Sequence, residues 1–296
     1  MKIGILIASL PKDEKYTNAD RLVEASEKRG HEIVKIYEPS LSFTIKDGDI
    51  SAFHDGEPLL DFDILIYRPN FIEEPGIHSH NLQLLKRAGY KIVNGDEGAV
   101  ATTKNKLAQH VLFSENNIPM PRWAIANGPV AARKSADEIG YPVIIKTAFG
   151  TFGTGVFYAE NSETFLPIVE YLNIRDGNPV LIEEFVNEAD RKDLRVFIVG
   201  GKIIASMERT ARPGDVRANA SIGGVGHAIK LSPEEERLAI RTANLFDLQI
   251  LGVDIIRSNK RPLVIEVNSN PGFKELEKAT DIDVAGTIIE QAVSCF

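Results

Sequence analysis

Two kinds of hydrophobic pattern alternate along the chain: short β-branched runs, and longer stretches with an apolar residue every third or fourth position. Lys2 to Ala8 reads as a buried strand. Asn18 then caps an amphipathic stretch to Arg29 that Gly30 ends, and Glu32 to Tyr37 is strand-like again, completing a β-α-β unit. Phe62 to Tyr67, Ser79 to Ala88 and Lys91 to Val93 repeat the order strand, helix, strand. Residues 1–100 are therefore expected to form a small parallel α/β domain.

From Thr103 the pattern predicts one helix to about Asn116, with Leu107, Ala108, Val111 and Leu112 on one face and the Pro119-Met120-Pro121 turn as its stop. A helix over Gly128 to Ile139, a strand Pro142 to Lys146, a glycine-rich loop, a helix Glu163 to Tyr171 and a strand Val180 to Val186 complete a central unit, 101–190. The unit 191–296 reads as antiparallel strands at Leu194 to Val199 and Lys202 to Glu208, a helix from Ser232 to Phe246, strands at Gly252 to Arg257 and Leu263 to Val267, and a closing helix. The expected class is α/β followed by α+β.

Composition narrows the function. The chain has 296 residues and a formal charge of −8, which disfavours a general nucleic-acid binder, since neutralising phosphates needs a surplus of Lys and Arg. The apolar start is interrupted by Pro11, Lys12, Asp13 and Glu14, too early for most signal peptides or a membrane span. Cys295 is the one cysteine, so no disulfide framework is expected and a reducing cytoplasm is the simplest compartment. Ala8-Ser9-Leu10-Pro11 stands where a dinucleotide fold needs a G-x-G-x-x-G turn, which disfavours an NAD enzyme. The six histidines are scattered, with only His78-x-His80 in a zinc-like spacing, which more often caps or decorates a helix start, and no Ser-His-Asp or Cys-His arrangement stands out.

Asp254 and Glu266 lie inside apolar runs, where an ionised carboxylate must find a cation, a donor or a proton. Both are equidistant from Lys260, so a three-residue turn Asn259-Lys260-Arg261 would set them opposite each other, with Cβ atoms about 4.5–5.5 Å apart. Asn268, two residues past Glu266, shares that face. Oxygen ligands without His or Cys suit a hard ion such as Mg²⁺. Lys146 ends a strand and Phe149-Gly150-Thr151-Phe152-Gly153-Thr154-Gly155 follows, a loop that lets backbone N–H groups approach phosphates but lacks the Walker pattern. The segment 191–217 carries seven basic residues although the chain is acidic, and Arg209, Arg212, Arg217 and Asn219 supply donors suited to phosphate and carboxylate oxygens.

Taken in order, GVDIIRSNKRPLVIEVNSNPGFKELEKATDIDVAG, Glu-Glu-Phe-Val at 183–186, Lys-Asp-Leu-Arg at 192–195 and Gly-Asp-Val-Arg-Ala-Asn at 214–219 resemble the RimK-type branch of the ATP-grasp superfamily over about Thr103 to Ile289. The resemblance implies an ATP-grasp fold behind an N-terminal Rossmann-like (pre-ATP-grasp) domain. It implies ATP and two Mg²⁺ ions, with Mn²⁺ as a substitute, held by Asp254, Glu266 and Asn268. Lys106 and Lys146 would contact ATP phosphates under a loop containing Gly150, Gly153 and Gly155. Glu184 and Phe185 would read adenine, and Asp193 would lie near the ribose. Arg217, Ala218 and Asn219 would line the phosphate and acyl site, and Arg209, Arg217 and Asn219 would steady an acylphosphate.

The implied reaction joins a carboxylate acceptor, either a protein C-terminus or a small molecule, to an amino-acid amine donor such as L-glutamate. A homo-oligomer is implied as well. Phe149, Phe152 and Asn270 depart from the glutamate-ligating pattern. Rival expectations are an amino-group-protecting ligase of lysine- or arginine-type biosynthesis, a glutathione- or dipeptide-type synthetase, and, from another class, a non-catalytic ATP-binding regulator.

Overall fold

The computed structural model describes residues 1–10, 17–71, 74–150, 155–212, 215 and 225–296. Four residues expected at the site, Gly153, Arg217, Ala218 and Asn219, lie outside the described residues.

The first part of the chain runs β1 (Lys2–Ile7), α1 (Asn18–Glu27), β2 (Glu32–Tyr37), β3 (Leu41–Lys46), β4 (Asp49–His54), β5 (Glu57–Pro58), β6 (Ile64–Arg68), α2 (Gly76–Arg87), β7 (Ile92–Val93) and α3 (Glu97–Lys104). Strands β1, β2, β6 and β7 form a parallel sheet of order β2-β1-β6-β7, as the β-α-β pattern requires. The middle part runs α4 (Lys106–Glu115), β8 (Trp123–Ala126), α5 (Pro129–Ile139), β9 (Val143–Thr147), β10 (Val156–Ala159), α6 (Ser162–Arg175) and β11 (Val180–Glu184), with an antiparallel sheet β10-β9-β11-β8. The last part runs β12 (Lys192–Val199), β13 (Lys202–Thr210), β14 (Val225–Ala228), α7 (Pro233–Ala243), β15 (Ile250–Arg257), β16 (Pro262–Asn268), α8 (Lys274–Thr280) and α9 (Val284–Ser294), around an antiparallel sheet β14-β13-β12-β15-β16.

Burial ties the first and last parts together. One core joins Leu65 and Tyr67 to Leu194, Val196, Val253 and Val264; another joins Ile3 and Ile5 to Phe197, Val199, Ile250 and Ile288. The middle sheet has its own core, from Ala126 to Ile182. No helix among the described residues is long and apolar enough to cross a membrane.

Several sequence expectations need correction. Asn18 does not cap α1: Thr17 does, accepting from Asp20 N, while Asn18 Oδ1 accepts from Phe273 N (3.1 Å) and Lys274 N (3.2 Å). The hairpin strands β3, β4 and β5 go unforeseen, although Asp47-Gly48 and Asp55-Gly56, with all four residues at positive φ, are hairpin turn signals. The closing helix is two helices, α8 and α9, separated by the left-handed Asp281. The single helix expected from Thr103 is likewise two. Asn105 adopts an extended conformation, its side chain caps α4 through Leu107 N and Ala108 N, and Lys106 N donates to Ala148 O at 2.9 Å. That break brings Lys106 to the end of β9.

The expected opposition of Asp254 and Glu266 is present, by a different route. Arg257 pairs with Pro262, so the connection has four residues, 258–261, and a bulge with Ile265 as the extra residue restores the register.

Candidate active site

A cavity of about 530 Å³ lies where the three parts meet. One wall is a face of the five-stranded sheet. Side chains two apart on a strand share a face, so Asp193 and Arg195 on β12, Met207 and Arg209 on β13, Asp254 and Ile256 on β15, and Glu266 and Asn268 on β16 all line it. Cross-strand pairing then sets charges side by side: Asp193 opposes Arg209, Arg195 opposes Asp254, and Asp254 opposes Glu266.

The arginines are committed to the carboxylates. Arg195 holds Asp254 through two bonds, with Nη2 to Oδ2 at 2.7 Å. Arg209 donates from Nε and Nη2 to Asp193 at 2.6 and 2.8 Å, and its Nη2 lies 3.0 Å from Asp254 Oδ2. Burial would push the Asp254 carboxyl up, but Arg195 and Arg209 outweigh it and hold the group at about 2. Asp193 moves the other way: burial raises it, and Arg209 does not offset that in the presence of the Asp254 charge. Arg209 and Asp193, expected at the acylphosphate and the ribose, line the cavity bound to each other.

Asn268 Nδ2 lies 3.3 Å from Asp254 Oδ2 and 3.2 Å from Glu266 Oε1. Its amide therefore presents partial positive charge to the meeting point of the two carboxylates, where a hard cation would be favoured. Turning the amide over would make its oxygen a third ligand. The donor set fits Mg²⁺. It comprises two carboxylates and an amide, and no three His, Cys, Asp or Glu side chains gather as a metal cluster among the described residues.

The second wall carries the lysines. Lys146, at the end of β9, and Glu183, diagonal to it on β11, are both buried, with Nζ 2.6 Å from Glu183 Oε2. His110 Nε2 approaches Glu183 Oε1 to 2.6 Å, out of line for a hydrogen bond. Nδ1 of the same ring donates to Lys106 O at 2.8 Å. Burial would raise the Glu183 carboxyl, but Lys146 and His110 hold it at about 2. Lys106 Nζ donates to Gly150 O at 3.0 Å, and burial is the first of the effects that depress its ammonium.

At the end of β11, Glu184 and the following Phe185 line the cavity. Arg122 Nε and Nη2 hold the Glu184 carboxylate at 3.0 and 3.2 Å, and Phe185 meets Tyr158 edge to face at 5.1 Å. Gly150 lies on the cavity wall, and Gly155 O accepts from Thr147 N at 2.9 Å, closing the base of the 149–155 loop. Lys106, Lys146, Gly150, Glu184, Phe185, Asp193, Arg209, Asp254, Glu266 and Asn268 are therefore assembled around one cavity. Sequence reasoning gave no role to His110, Arg195 or Gln109. Arg195 was findable, because it sits two residues from Asp193 on a strand with the same alternation.

Known proteins resemble the chain throughout. The RimK-like ATP-grasp domain model matches residues 103–292. A probable alpha-L-glutamate ligase of Aliivibrio fischeri is 36% identical over 294 residues, 98% of this chain and 94% of that protein. One of Maridesulfovibrio salexigens is 37% identical with the same coverage. A longer relative in Shewanella pealeana matches at 36% over 98% of this chain, which spans 62% of it. Among solved structures, the RimK domain ATP-grasp protein of Sphaerobacter thermophilus superposes with a TM-score of 0.76 at 22% identity, covering 99% of this chain and 100% of that one. The ATP-grasp ligase PsnB complexed with minimal precursor, Mg and ADP gives 0.73 at 20%, covering 99% and 96%. The family model over the last two parts and relatives matching over nearly the whole length agree, and the chain belongs to the RimK-like ATP-grasp ligase family.

Proposed function

We propose that the protein is an ATP-dependent carboxylate–amine ligase that forms an amide bond through an acylphosphate, with an amino acid such as L-glutamate as amine donor. The observation that carries this reading is the convergence on one cavity of two buried lysines, Lys106 and Lys146, with the oxygens of Asp254, Glu266 and Asn268. A polyphosphate needs cationic groups in a site shielded from water, where their charge is weakly screened.

Lys146 and Lys106 bind the ATP phosphates, and Glu183 with His110 fixes the Lys146 ammonium so that little reorganisation accompanies binding. Glu184 and Phe185 border the adenine, with the ribose toward Asp193. Asp254, Glu266 and Asn268 would hold Mg²⁺, which would neutralise phosphate charge and help orient the γ-phosphoryl group. The acceptor carboxylate attacks that phosphoryl group, ADP leaves, and the amine then displaces phosphate from the acylphosphate. Arg217 and Asn219, outside the described residues, are assigned to the acyl site, and the 149–155 loop to excluding water. Probable alpha-L-glutamate ligase is the name the 36–37% identical relatives carry, which favours glutamate as donor.

The test is to incubate the pure protein with ATP, Mg²⁺ and a panel of amino acids and acceptors, following ADP release and product mass. ADP formation dependent on one amino acid, with a product heavier by that residue, is expected. Absence of ADP with every amine overturns the reading.

A further inference from the structure

Among the described residues, one buried charge beside the cavity has no counter-ion. Arg68 ends β6, and only 5% of its surface is exposed. Nη2 donates to Pro271 O at 3.1 Å, the guanidinium lies 5.7 Å from the Phe273 ring centroid, and Nη1 is enclosed without a hydrogen bond. Among the described residues no carboxylate pairs with it. Arg195 and Arg209, the other buried arginines of the region, are each bound to carboxylates. Nothing raises the Arg68 pKa, and burial alone brings it down to about 10. A fold that encloses an uncompensated guanidinium sacrifices stability unless an anion arrives.

The surroundings say from where. Arg68 stands at the carboxyl end of a parallel strand, the edge at which open α/β sheets receive ligands. The residues that follow it, Pro69 and Asn70, and the turn it holds, 271–273, line the cavity. Asn18 lines it too. Its Oδ1 is taken by Phe273 N and Lys274 N, which leaves the Nδ2 donor beside Gly272. The carboxylates of Asp254 and Glu266 line another part of the same cavity.

We propose that this end of the cavity is a carboxylate subsite, with Arg68 as its positive pole and the Asn18 amide as a donor, and that it holds a substrate carboxylate that does not react. The assignment rests on the ligase reading: an amino acid that gives its amine keeps its α-carboxylate, which must be held away from the one being activated. Arg68 does not itself line the cavity; it acts through its weakly screened buried charge and through the 271–273 turn it holds, and Asn18 makes the direct contact.

The test compares wild type with Arg68→Met and Arg68→Lys, first without turnover. Unfolding midpoints are measured with and without L-glutamate, succinate and inorganic phosphate. Without ligand Arg68→Met is expected to unfold at the wild-type temperature or above, since it removes an unpaired buried charge. The rise in midpoint given by L-glutamate or succinate is expected in wild type, to be lost in Arg68→Met and partly kept in Arg68→Lys.

In turnover the KM of the amino acid rises at least tenfold in Arg68→Met while that of ATP is unchanged. A rise confined to the acceptor KM also supports the subsite and assigns it to the acceptor's spectator carboxylate. A less stable Arg68→Met whose ligand-induced shifts match wild type reduces Arg68 to a prop for Pro271 and overturns the proposal. So does a shift produced by phosphate alone, or a change in the KM of ATP. If no amino acid supports turnover, the ligase reading fails while the midpoint experiment still decides the subsite.

Discussion

Glu183 Oε2 lies 2.6 Å from Lys146 Nζ across the β9–β11 pairing, with both side chains buried. The carboxylate is needed because Lys146 alone would be an uncompensated charge, and His110 lies against its other oxygen. Glu183→Gln is expected to destabilise the fold by about 3–5 kcal/mol, because it strands buried cations, and to raise the KM of ATP roughly tenfold, equivalent to about 1.4 kcal/mol. Urea denaturation at neutral pH and initial rates against ATP check both. A variant as stable as wild type would show that the pair adds nothing to the fold.

The same carboxyl gives a pH dependence. Its pKa falls from an ordinary 4.5 to about 2 in the folded protein. The native state therefore binds fewer protons than the unfolded chain between those values, so the Glu183 contribution is complete above 4.5 and is lost as pH falls through 2. The contribution is about 3 kcal/mol. The stability curve of Glu183→Gln should be flatter than that of wild type in this window, measured by denaturation at intervals between pH 5 and 2.

Asp254 and Glu266 face each other but differ in what they hold. Asp254 binds both Arg195 and Arg209, whereas among the described residues Glu266 receives the Asn268 amide at 3.2 Å and no arginine. Asp254→Asn should lose about 3–5 kcal/mol of stability, and Glu266→Gln less than about 1 kcal/mol. Both should lose Mg²⁺-dependent nucleotide binding, followed by calorimetry with a non-hydrolysable ATP analogue. Full Mg²⁺ dependence in both variants would remove the metal assignment.

Much of this site was legible because period-2 alternation is strict: once Asp254 and Glu266 are on strands, their shared face and that of Asn268 follow. The turn was misread since a bulge at Ile265 compensates for a fourth loop residue, and local patterning does not distinguish the two registers. Arg68, His110 and Gln109 were not legible. Each looks like an ordinary polar residue in an apolar element, and its role depends on tertiary partners more than 70 residues away in sequence, such as Glu183, Val267 and Pro271. The break at Asn105 shows the same limit: a helix-compatible run is divided because Lys106 N bonds to Ala148 O.

Gly155 sits at φ +77, and a Cβ there would stand 2.1 Å from Thr147 Oγ1. Thr147 fastens the loop base, donating from N to Gly155 O and from Oγ1 to Phe149 O at 2.6 Å. Gly155→Ala should therefore cost about 1–3 kcal/mol from backbone strain alone and weaken ATP binding as the loop base opens. Gly89→Ala is the control, with φ +96 and no atom near the added Cβ. Equal effects of the two on the KM of ATP would mean that the loop is not anchored through Thr147.

Gln109 connects the helix of Lys106 to β16, the strand of Glu266 and Asn268. Its Nε2 donates to Thr103 O at 2.8 Å and Val267 O at 3.1 Å, and its Oε1 accepts from Val267 N at 2.7 Å. Val267 lies between Glu266 and Asn268, so this one amide fixes the backbone that aims both. Gln109→Ala would leave three buried backbone groups without partners, each costing about 1–3 kcal/mol, and should also raise the Mg²⁺ concentration needed for nucleotide binding. Val111→Ala, on an exposed face of the same helix, should change neither quantity. If Gln109→Ala lowered stability yet left the Mg²⁺ requirement unchanged, β16 would be positioned by its pairing with β15 alone.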